Sequence, residues 1–185
     1  MSVLYTIGRG TRSVPELAAV LTAAAVDVVI DVRRHPGSRR NPHLSGDSLA
    51  VELPATAALA YEWWGEELGG RRSGSADSRH PAWRNASLRA YADHMDTTAF
   101  REAFVRLMAQ ATDRAQVVMC AETLWWRCHR RLLADAATLQ GVEVLHLLGQ
   151  GRSAPHVRQT GMRAGADGWP VYDVGAQLAL PDDPA

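Results

Sequence analysis

Strand-like apolar runs alternate with helix-like segments along this chain, and this alternation restricts its fold more than any other feature. The strand-like runs, rich in β-branched residues, lie at 3–8, 26–32, 59–64, 115–120 and 142–148. Helical spacing of apolar residues is found between them, at about 13–24, 47–58, 87–95, 98–111 and 128–140. The second of these helices is expected to break near Pro54. The pattern predicts an α/β fold: a single three-layer domain with a mostly parallel sheet of about five strands flanked by helices.

Length and composition are typical of one soluble globular domain. The chain has 185 residues, 46% of them hydrophobic and 22% charged. No apolar run approaches the roughly 18–20 residues that a membrane helix needs, and the N-terminus lacks the pattern of a signal peptide. Two cysteines do not make a disulfide framework. We therefore expect a reduced, cytoplasmic protein with no membrane partner.

We expect the α/β domain to span 1–148 and a loop-rich extension to span 149–185. The extension contains one short strand-like stretch, WPVYDV, at 169–174. It is expected to pack on the domain at least to about residue 163. No sequence pattern predicts an oligomeric state.

All 20 basic residues are arginine, and they balance 20 acidic residues. Because the chain has no lysine, it has neither a Schiff-base lysine nor a P-loop lysine. The glycine-containing segments GRGTR (8–12) and GGRR (69–72) do not fit the dinucleotide-binding motif G-x-G-x-x-G. Anion binding must then use guanidinium groups, backbone amides or helix ends. The zero net charge argues against binding to long duplex nucleic acid.

Polar side chains follow four of the predicted strands where each strand ends. GRGTR follows the first strand, an arginine cluster follows the second, ELGGRR the third, and CAETLWWRCHR (120–130) the fourth. The carboxyl ends of parallel strands meet at one edge of a sheet, so these segments are predicted to form one pocket. The candidate substrate-binding residues are Arg9, Arg12, Arg33, Arg39, Arg40, Arg71, Arg72, Trp83, Arg84, Asn85, Trp126, Arg127 and Arg130.

The segment 120–130 contains both cysteines and the candidate catalytic residues. Cys128 precedes a predicted helix and has basic neighbours, which lower the pKa of a thiol. This predicts a thiolate nucleophile, with His129 as its proton carrier. Cys120 ends the fourth strand, and Glu122 is placed to act as a general base.

Other interpretations of these residues stay open. The cysteines can be buried packing residues or a redox disulfide, and Glu122 can form a local ion pair with Arg127 or Arg130. Tryptophans such as Trp83 are also common in cores. No metal site is predicted, because C-x7-C-H lacks a second close pair of ligands, and no cofactor is expected.

Several segments together resemble a known family. They are YTIG, DVRRHPGSRRNP, ELGGRR, AWRNASLRAYADHM and MCAETLWWRCHRRLLAD, with a weaker match in PHVRQTGMR, and they span about residues 4–163. The chain thereby resembles the domain-of-unknown-function family 488 of bacteria and archaea. Members of that family usually have Gly-His-Ser after the first strand, where this chain has Gly8-Arg9-Gly10. The resemblance implies a compact α/β fold with a shared pocket and leaves the reaction open.

Three hypotheses about function follow from these residues. The first is an enzyme, a hydrolase or transferase, that acts on a phosphate-bearing small molecule or a short single-stranded nucleic acid. The second is a cysteine phosphatase or sulfur-transfer enzyme, although Cys120 and Arg127 are one residue further apart than the C-x5-R of tyrosine phosphatases. The third is a non-catalytic module that binds a nucleotide or RNA.

Overall fold

A six-stranded sheet forms the middle layer of the protein. The computed structural model describes residues 3–37 and 41–174. The strands of this sheet are β1 (Val3–Gly8), β2 (Val28–Asp31), β3 (Ala60–Trp63), β4 (Gln116–Cys120), β5 (Glu143–Gly149) and β6 (Arg152–Pro155). Their order is β3-β2-β4-β1-β5-β6, and every pairing is parallel except that of β5 with β6. The predicted α/β class with a mostly parallel sheet is confirmed.

Helices cover both faces of the sheet. They are α1 (Val14–Ala23), α2 (Gly46–Ala57), α3 (Gly65–Leu68), α4 (Ala86–Met95), α5 (Thr98–Gln110) and α6 (Arg130–Leu139). Successive strand residues point to opposite faces, so Val29 packs into the core under α1 and α2, and Ile30 packs into the core under α4, α5 and α6. Among the described residues, no helix has both the length and the apolar character needed to cross a membrane.

Two helices show how local sequence sets the element boundaries. The side chain of Ser13 accepts a hydrogen bond from the Glu16 amide, and the Glu16 carboxylate accepts one from the Ser13 amide at 2.7 Å, which is the predicted capping box of α1. The predicted break near Pro54 was wrong, because α2 is continuous to Ala57. Proline removes one hydrogen bond, but Leu53 beside it is fully buried and holds α2 against the sheet.

The part of the chain after β5 is joined to the domain. β6 extends the sheet, and β7 (Met162–Ala164) pairs with β8 (Pro170–Tyr172) in a small antiparallel ribbon. Tyr172 is fully buried against Trp83, with ring centroids 5.4 Å apart. The stretch WPVYDV thus supplies a strand and a core residue.

A buried carboxylate, Asp135 of α6, binds three groups from this later part of the chain. It accepts hydrogen bonds from the Tyr172 hydroxyl at 2.9 Å, the Gln159 amide at 3.0 Å and the His156 ring at 2.9 Å. Asp135 and the His156 side chain are both fully buried. We call these residues, together with His146, the Asp135 network.

The histidines of the Asp135 network have an ordered set of donors and acceptors. Burial, and then His156, lower the pKa of His146 to about 2, so His146 is neutral. Its Nε2 lies 3.0 Å from Nδ1 of His156, and its Nδ1 lies 2.6 Å from the Thr6 hydroxyl. With Nε2 of His156 donating to Asp135, its Nδ1 is the acceptor for His146, which in turn accepts from Thr6. Each polar atom in this row has a partner.

Candidate active site

A cavity of about 440 Å³ opens at the carboxyl ends of β1, β2 and β4. β4 lies between β2 and β1, so the loops that leave these three strands border one crevice. The predicted site residues that line the cavity are Arg9, Arg33, Arg71, Cys120, Glu122, Arg127, Cys128 and His129. The structure thus brings together residues from four of the predicted loop segments.

The loop after β4 crosses directly over the end of β1, where Gly8 stands. A Cβ atom at Gly8 would lie 2.1 Å from the carbonyl oxygen of Glu122 and 2.7 Å from the Thr123 Cα atom, so a side chain there has no room. The Arg9 amide donates to the Cys120 carbonyl at 2.9 Å and fixes the start of the loop. The buried guanidinium of Arg130 donates to the carbonyls of Glu122 and Thr123. Gly8 and Arg130 together determine the path of this loop.

The two thiols and one imidazole form the floor of the cavity. Sγ of Cys128 lies 3.6 Å from Nδ1 of His129, and Sγ of Cys120 lies 4.0 Å from the same nitrogen. The thiols are free and buried, with exposed fractions of 8% for Cys120 and 5% for Cys128. Their burial agrees with the interpretation that the cysteines are packing residues. Both also line the cavity.

The position of the His129 ring is set by packing against Tyr91 and Gly70. Its centroid lies 4.8 Å from that of Tyr91. Gly70 also lies against this ring, since a Cβ atom at Gly70 would lie 2.8 Å from its Nδ1 atom. The absence of a side chain at Gly70 therefore allows the imidazole to approach the thiols.

The two thiols differ in their tendency to ionise. A hydrogen bond with Cys128, and then burial, raise the pKa of Cys120 well above its usual value. Burial opposes ionisation of Cys128 as well, but the hydrogen bond from Cys120 and the nearby His129 and Arg130 outweigh it and lower its pKa well below the usual value. Arg130 has no carboxylate partner among the described residues, and a buried cation needs a compensating charge. The buried Arg130 cation therefore favours the ionised form of the Cys128 thiol.

Arg9 and Arg33 form the cationic inner wall of the cavity. The Arg33 guanidinium donates to both carboxylate oxygens of Asp31 at 2.9 Å, so part of its charge is balanced. Arg9 is 7% exposed, its Nε atom has no hydrogen-bond partner, and burial followed by the nearby Arg33 lowers its pKa. A buried, incompletely bonded guanidinium favours an anionic ligand.

Arg71 and Arg34 lie at the mouth of the cavity. Arg71 has φ of 58°, in the left-handed region that a non-glycine residue seldom adopts, and its side chain is exposed. Arg34 donates to the Arg71 carbonyl at 3.5 Å. Neither guanidinium pairs with a carboxylate within 3–37 and 41–174, so both are available to an incoming anion.

Glu122 lies at the cavity edge and is exposed. Its Oε1 atom accepts a hydrogen bond from the Leu124 amide at 3.1 Å, which orients the carboxylate within its own loop. Arg130 contacts the carbonyl oxygen of Glu122 rather than its carboxylate. The predicted role as a general base remains a prediction.

Several predicted substrate-binding arginines have structural positions instead. Arg12 donates to the Gly8 and Leu148 carbonyls at 2.6 and 2.9 Å, and Arg72 donates to the Gly69 carbonyl at 2.8 Å. They, like Arg130, satisfy backbone carbonyls near the cavity and do not line it. Arg39 and Arg40 lie outside the described residues.

The remaining predicted binding residues also lie away from the cavity. Trp83 is fully buried, so it packs in the core and offers no face for a base. The Asn85 side chain accepts from the amides of Ser87 and Leu88 at 3.0 and 3.1 Å and caps α4. Trp126 packs edge-on against Trp125, 5.6 Å away. Arg84 and Trp126, too, are absent from the cavity wall.

Some lining residues were not among the predicted site residues. Arg34, His35 and Tyr91 all contribute to the wall. Arg34 belongs to the arginine cluster after β2, so its position was available from the sequence. Tyr91 follows Ser87 by four residues, and this helical spacing is the only sequence signal that α4 turns one face to the cavity.

Folding brings together ligand atoms that the sequence spacing did not predict as a group. Cys120, Cys128 and His129 each offer one ligand atom, and these atoms all lie within 4.8 Å of one another. Their separations would allow a metal ion to bind. The cations around them, Arg9 and Arg130 above all, instead favour an anion and a thiolate.

A family model described as Domain of unknown function DUF488 matches residues 13–137. The chain belongs to this family. Comparison with curated proteins and with solved structures gave no match. The matched part of this DUF488 protein includes the thiols and His129, whereas Gly8 and Arg9 precede it. Arg9 lines the cavity although it precedes the matched residues.

Proposed function

We propose that the protein is an enzyme that binds a phosphate-bearing substrate in the cavity and attacks it with the Cys128 sulfur. The single observation that supports this proposal is the convergence of arginine side chains on a thiol–histidine pair in one cavity. Arginine binds phosphate oxygens through two parallel hydrogen bonds, which orient the substrate as well as hold it. A cytoplasmic, reducing location would keep both thiols free.

The cavity favours a small or single-stranded substrate. Its volume of about 440 Å³ lies within the usual range for small-molecule sites. The net charge of the chain is zero, whereas extended contact with duplex phosphates normally requires a basic surface. We therefore propose a nucleotide or a short single-stranded nucleic acid as the substrate class.

The proposed reaction is a nucleophilic substitution by a hydrolase or transferase. Arg71 and Arg34 bind the phosphate at the cavity mouth, and Arg9 stabilises negative charge deeper inside. Cys128 attacks the electrophilic atom, its bond to the leaving group breaks, and His129 donates a proton to the departing oxygen or nitrogen. Water or a second substrate then releases the covalent intermediate, with Glu122 at the edge as the base.

Protection of Cys128 from alkylation tests the proposal. N-ethylmaleimide labelling would be measured by peptide mass spectrometry without ligand, with inorganic phosphate, with AMP and with a short single-stranded DNA. We expect at least one of these to slow labelling in the unmodified protein and to protect the Arg71→Ala variant at least about tenfold less well. Arg89→Ala is the matched control, because Arg89 is also exposed but lies outside the cavity. No protection by any of the three, or equal protection of both variants, would refute the phosphate assignment.

A further inference from the structure

The two thiols are close enough to react with each other. Cys120 ends β4 and Cys128 lies two residues before α6, and their sulfurs lie within 4.8 Å of one another. We infer that a hydroperoxide entering the cavity oxidises Cys128 first and that Cys120 then closes a reversible Cys120–Cys128 disulfide. This inference goes beyond the proposed function and does not depend on the identity of the substrate.

Both sulfurs meet the same small cavity, through which a peroxide can reach them. Elsewhere they are surrounded by the core, so a large thiol such as a second protein has no access. The sulfurs must approach to about 2.05 Å to form a bond. Hydrogen bonds from Arg130 and the Gly10 amide hold the carbonyl groups of residues 121–123, so the sulfurs approach each other by rotation of the two cysteine side chains.

The surroundings assign different roles to the two thiols. His129 and Arg130 stabilise a thiolate at Cys128, which is the form that attacks a peroxide. Cys120 keeps its proton and remains reduced while the first step takes place. The Nδ1 atom of His129 is 3.6 Å from one sulfur and 4.0 Å from the other, so one imidazole can serve both steps.

The reaction is balanced in two steps. In the first step, the Cys128 thiolate attacks one peroxide oxygen; an S–O bond forms and the O–O bond breaks. The leaving group is hydroxide from hydrogen peroxide or alkoxide from an organic hydroperoxide, and it takes a proton from His129 to leave as water or alcohol. In the second step, Cys120 gives its proton to His129 and its sulfur attacks the Cys128 sulfur. The S–S bond forms, the S–O bond breaks, and the departing hydroxide takes the proton back from His129 and leaves as water. Two thiols lose two electrons, and one hydroperoxide gains them.

Trypsin separates the two cysteines and so gives a direct assay. Cleavage after Arg114, Arg127 and Arg130 places Cys120 in the peptide 115–127 and Cys128 in the tripeptide 128–130. Full-length protein would be treated with hydrogen peroxide, quenched in acid, alkylated, digested and analysed by mass spectrometry. We expect the two peptides joined and lighter by two hydrogen atoms than their sum, and separate again after dithiothreitol.

Variants test the assigned order. In Cys120→Ser the cross-link is lost, and Cys128 accumulates as sulfinic acid, because the second thiol is missing. In Cys128→Ser we expect Cys120 to stay reduced at the same peroxide dose. Ser87→Ala is the control, because Ser87 lines the same cavity and the hydrogen-bond partner of both sulfurs is His129 instead; this variant should form the disulfide as the unmodified protein does.

Three results would overturn the inference. The first is a sulfinic acid at Cys128 together with a free Cys120 in the unmodified protein. The second is that both thiols stay unreacted at hydrogen peroxide doses that oxidise free glutathione. The third is one equivalent of zinc bound by both sulfurs in freshly purified protein. Ligand protection in the alkylation assay would be unaffected by the first two results. Failure of this inference is therefore distinguishable from failure of the proposed function.

Discussion

Replacing Asp135 by alanine should destabilise the protein more than any surface carboxylate substitution. The change removes the acceptor for Tyr172, Gln159 and His156 and leaves three buried donors without a partner. A hydrogen bond to a charged group contributes about 1.5–3 kcal/mol, but relaxation and the relief of burying a charge offset part of the sum. We expect a loss of about 4 kcal/mol, which for a chain of this length lowers the Tm by about 8–16 °C.

Two further variants make this prediction specific. Asp135→Asn retains an oxygen acceptor and the side-chain volume, so it should cost only about 1–2 kcal/mol. Asp173→Ala removes an exposed ion pair with Arg163, which solvent screens, and should leave the free energy of unfolding nearly unchanged. Urea unfolding followed by circular dichroism measures all three. If Asp135→Ala were no more destabilising than Asp173→Ala, the Asp135 network would not stabilise the fold.

Three more predictions concern the site and pH. Gly70→Ala places a Cβ 2.8 Å from the His129 ring and should raise the pH midpoint of Cys128 alkylation. Gly37→Ala is the control, because its Cβ would meet nothing within 4 Å, and it should leave the midpoint unchanged. Equal midpoints in the two variants would contradict the packing argument. His146 has a pKa of about 2 in the folded state but takes up a proton near pH 6.5 in the unfolded chain. The free energy of unfolding should therefore fall as the pH decreases below 6.5, by at most about 1.4 kcal/mol per pH unit. Urea unfolding between about pH 6 and 4 should show a shallower fall for His146→Gln than for the unmodified protein. The hydrogen bond from Arg101 lowers the pKa of Asp167 to about 2. Asp167→Asn should therefore be less stable than the unmodified protein above about pH 4, and the difference should disappear as the pH falls below about 2. A difference that is constant with pH would refute this.

The sequence predicted the sheet well because strands that are buried on both faces are apolar along their whole length. Parallel strands are covered on both faces, so a run such as 116–120 is apolar throughout and stands out from its neighbours. β6 was not predicted, because Arg152–Pro155 is mostly exposed at the edge of the sheet and has no apolar pattern to read. The prediction of a helix break at Pro54 was wrong for a different reason. It rested on the low helix propensity of proline and did not include the burial of Leu53 beside it.

The sequence alone did not show which of the candidate site residues line the cavity. Arginines next to the strand ends were expected to bind substrate, but a guanidinium has five donors and serves backbone carbonyls equally well. Arg12, Arg72 and Arg130 do the latter, and only three-dimensional contacts distinguish them from Arg9 or Arg71. The proximity of Cys120 and His129 likewise depends on the path of the loop over Gly8.

The position of β1 in the middle of the sheet bears on how this family should be compared and cloned. β1 pairs with β4 on one side and β5 on the other, yet it precedes residue 13, where the family match begins, and β5 follows residue 137, where it ends. A protein fragment limited to the matched segment would leave one edge of β4 unpaired. It would also lack Arg9, which forms part of the inner wall of the cavity. The matched segment is therefore not a complete unit of folding in this protein, and a fragment made for expression should include β1 and β5.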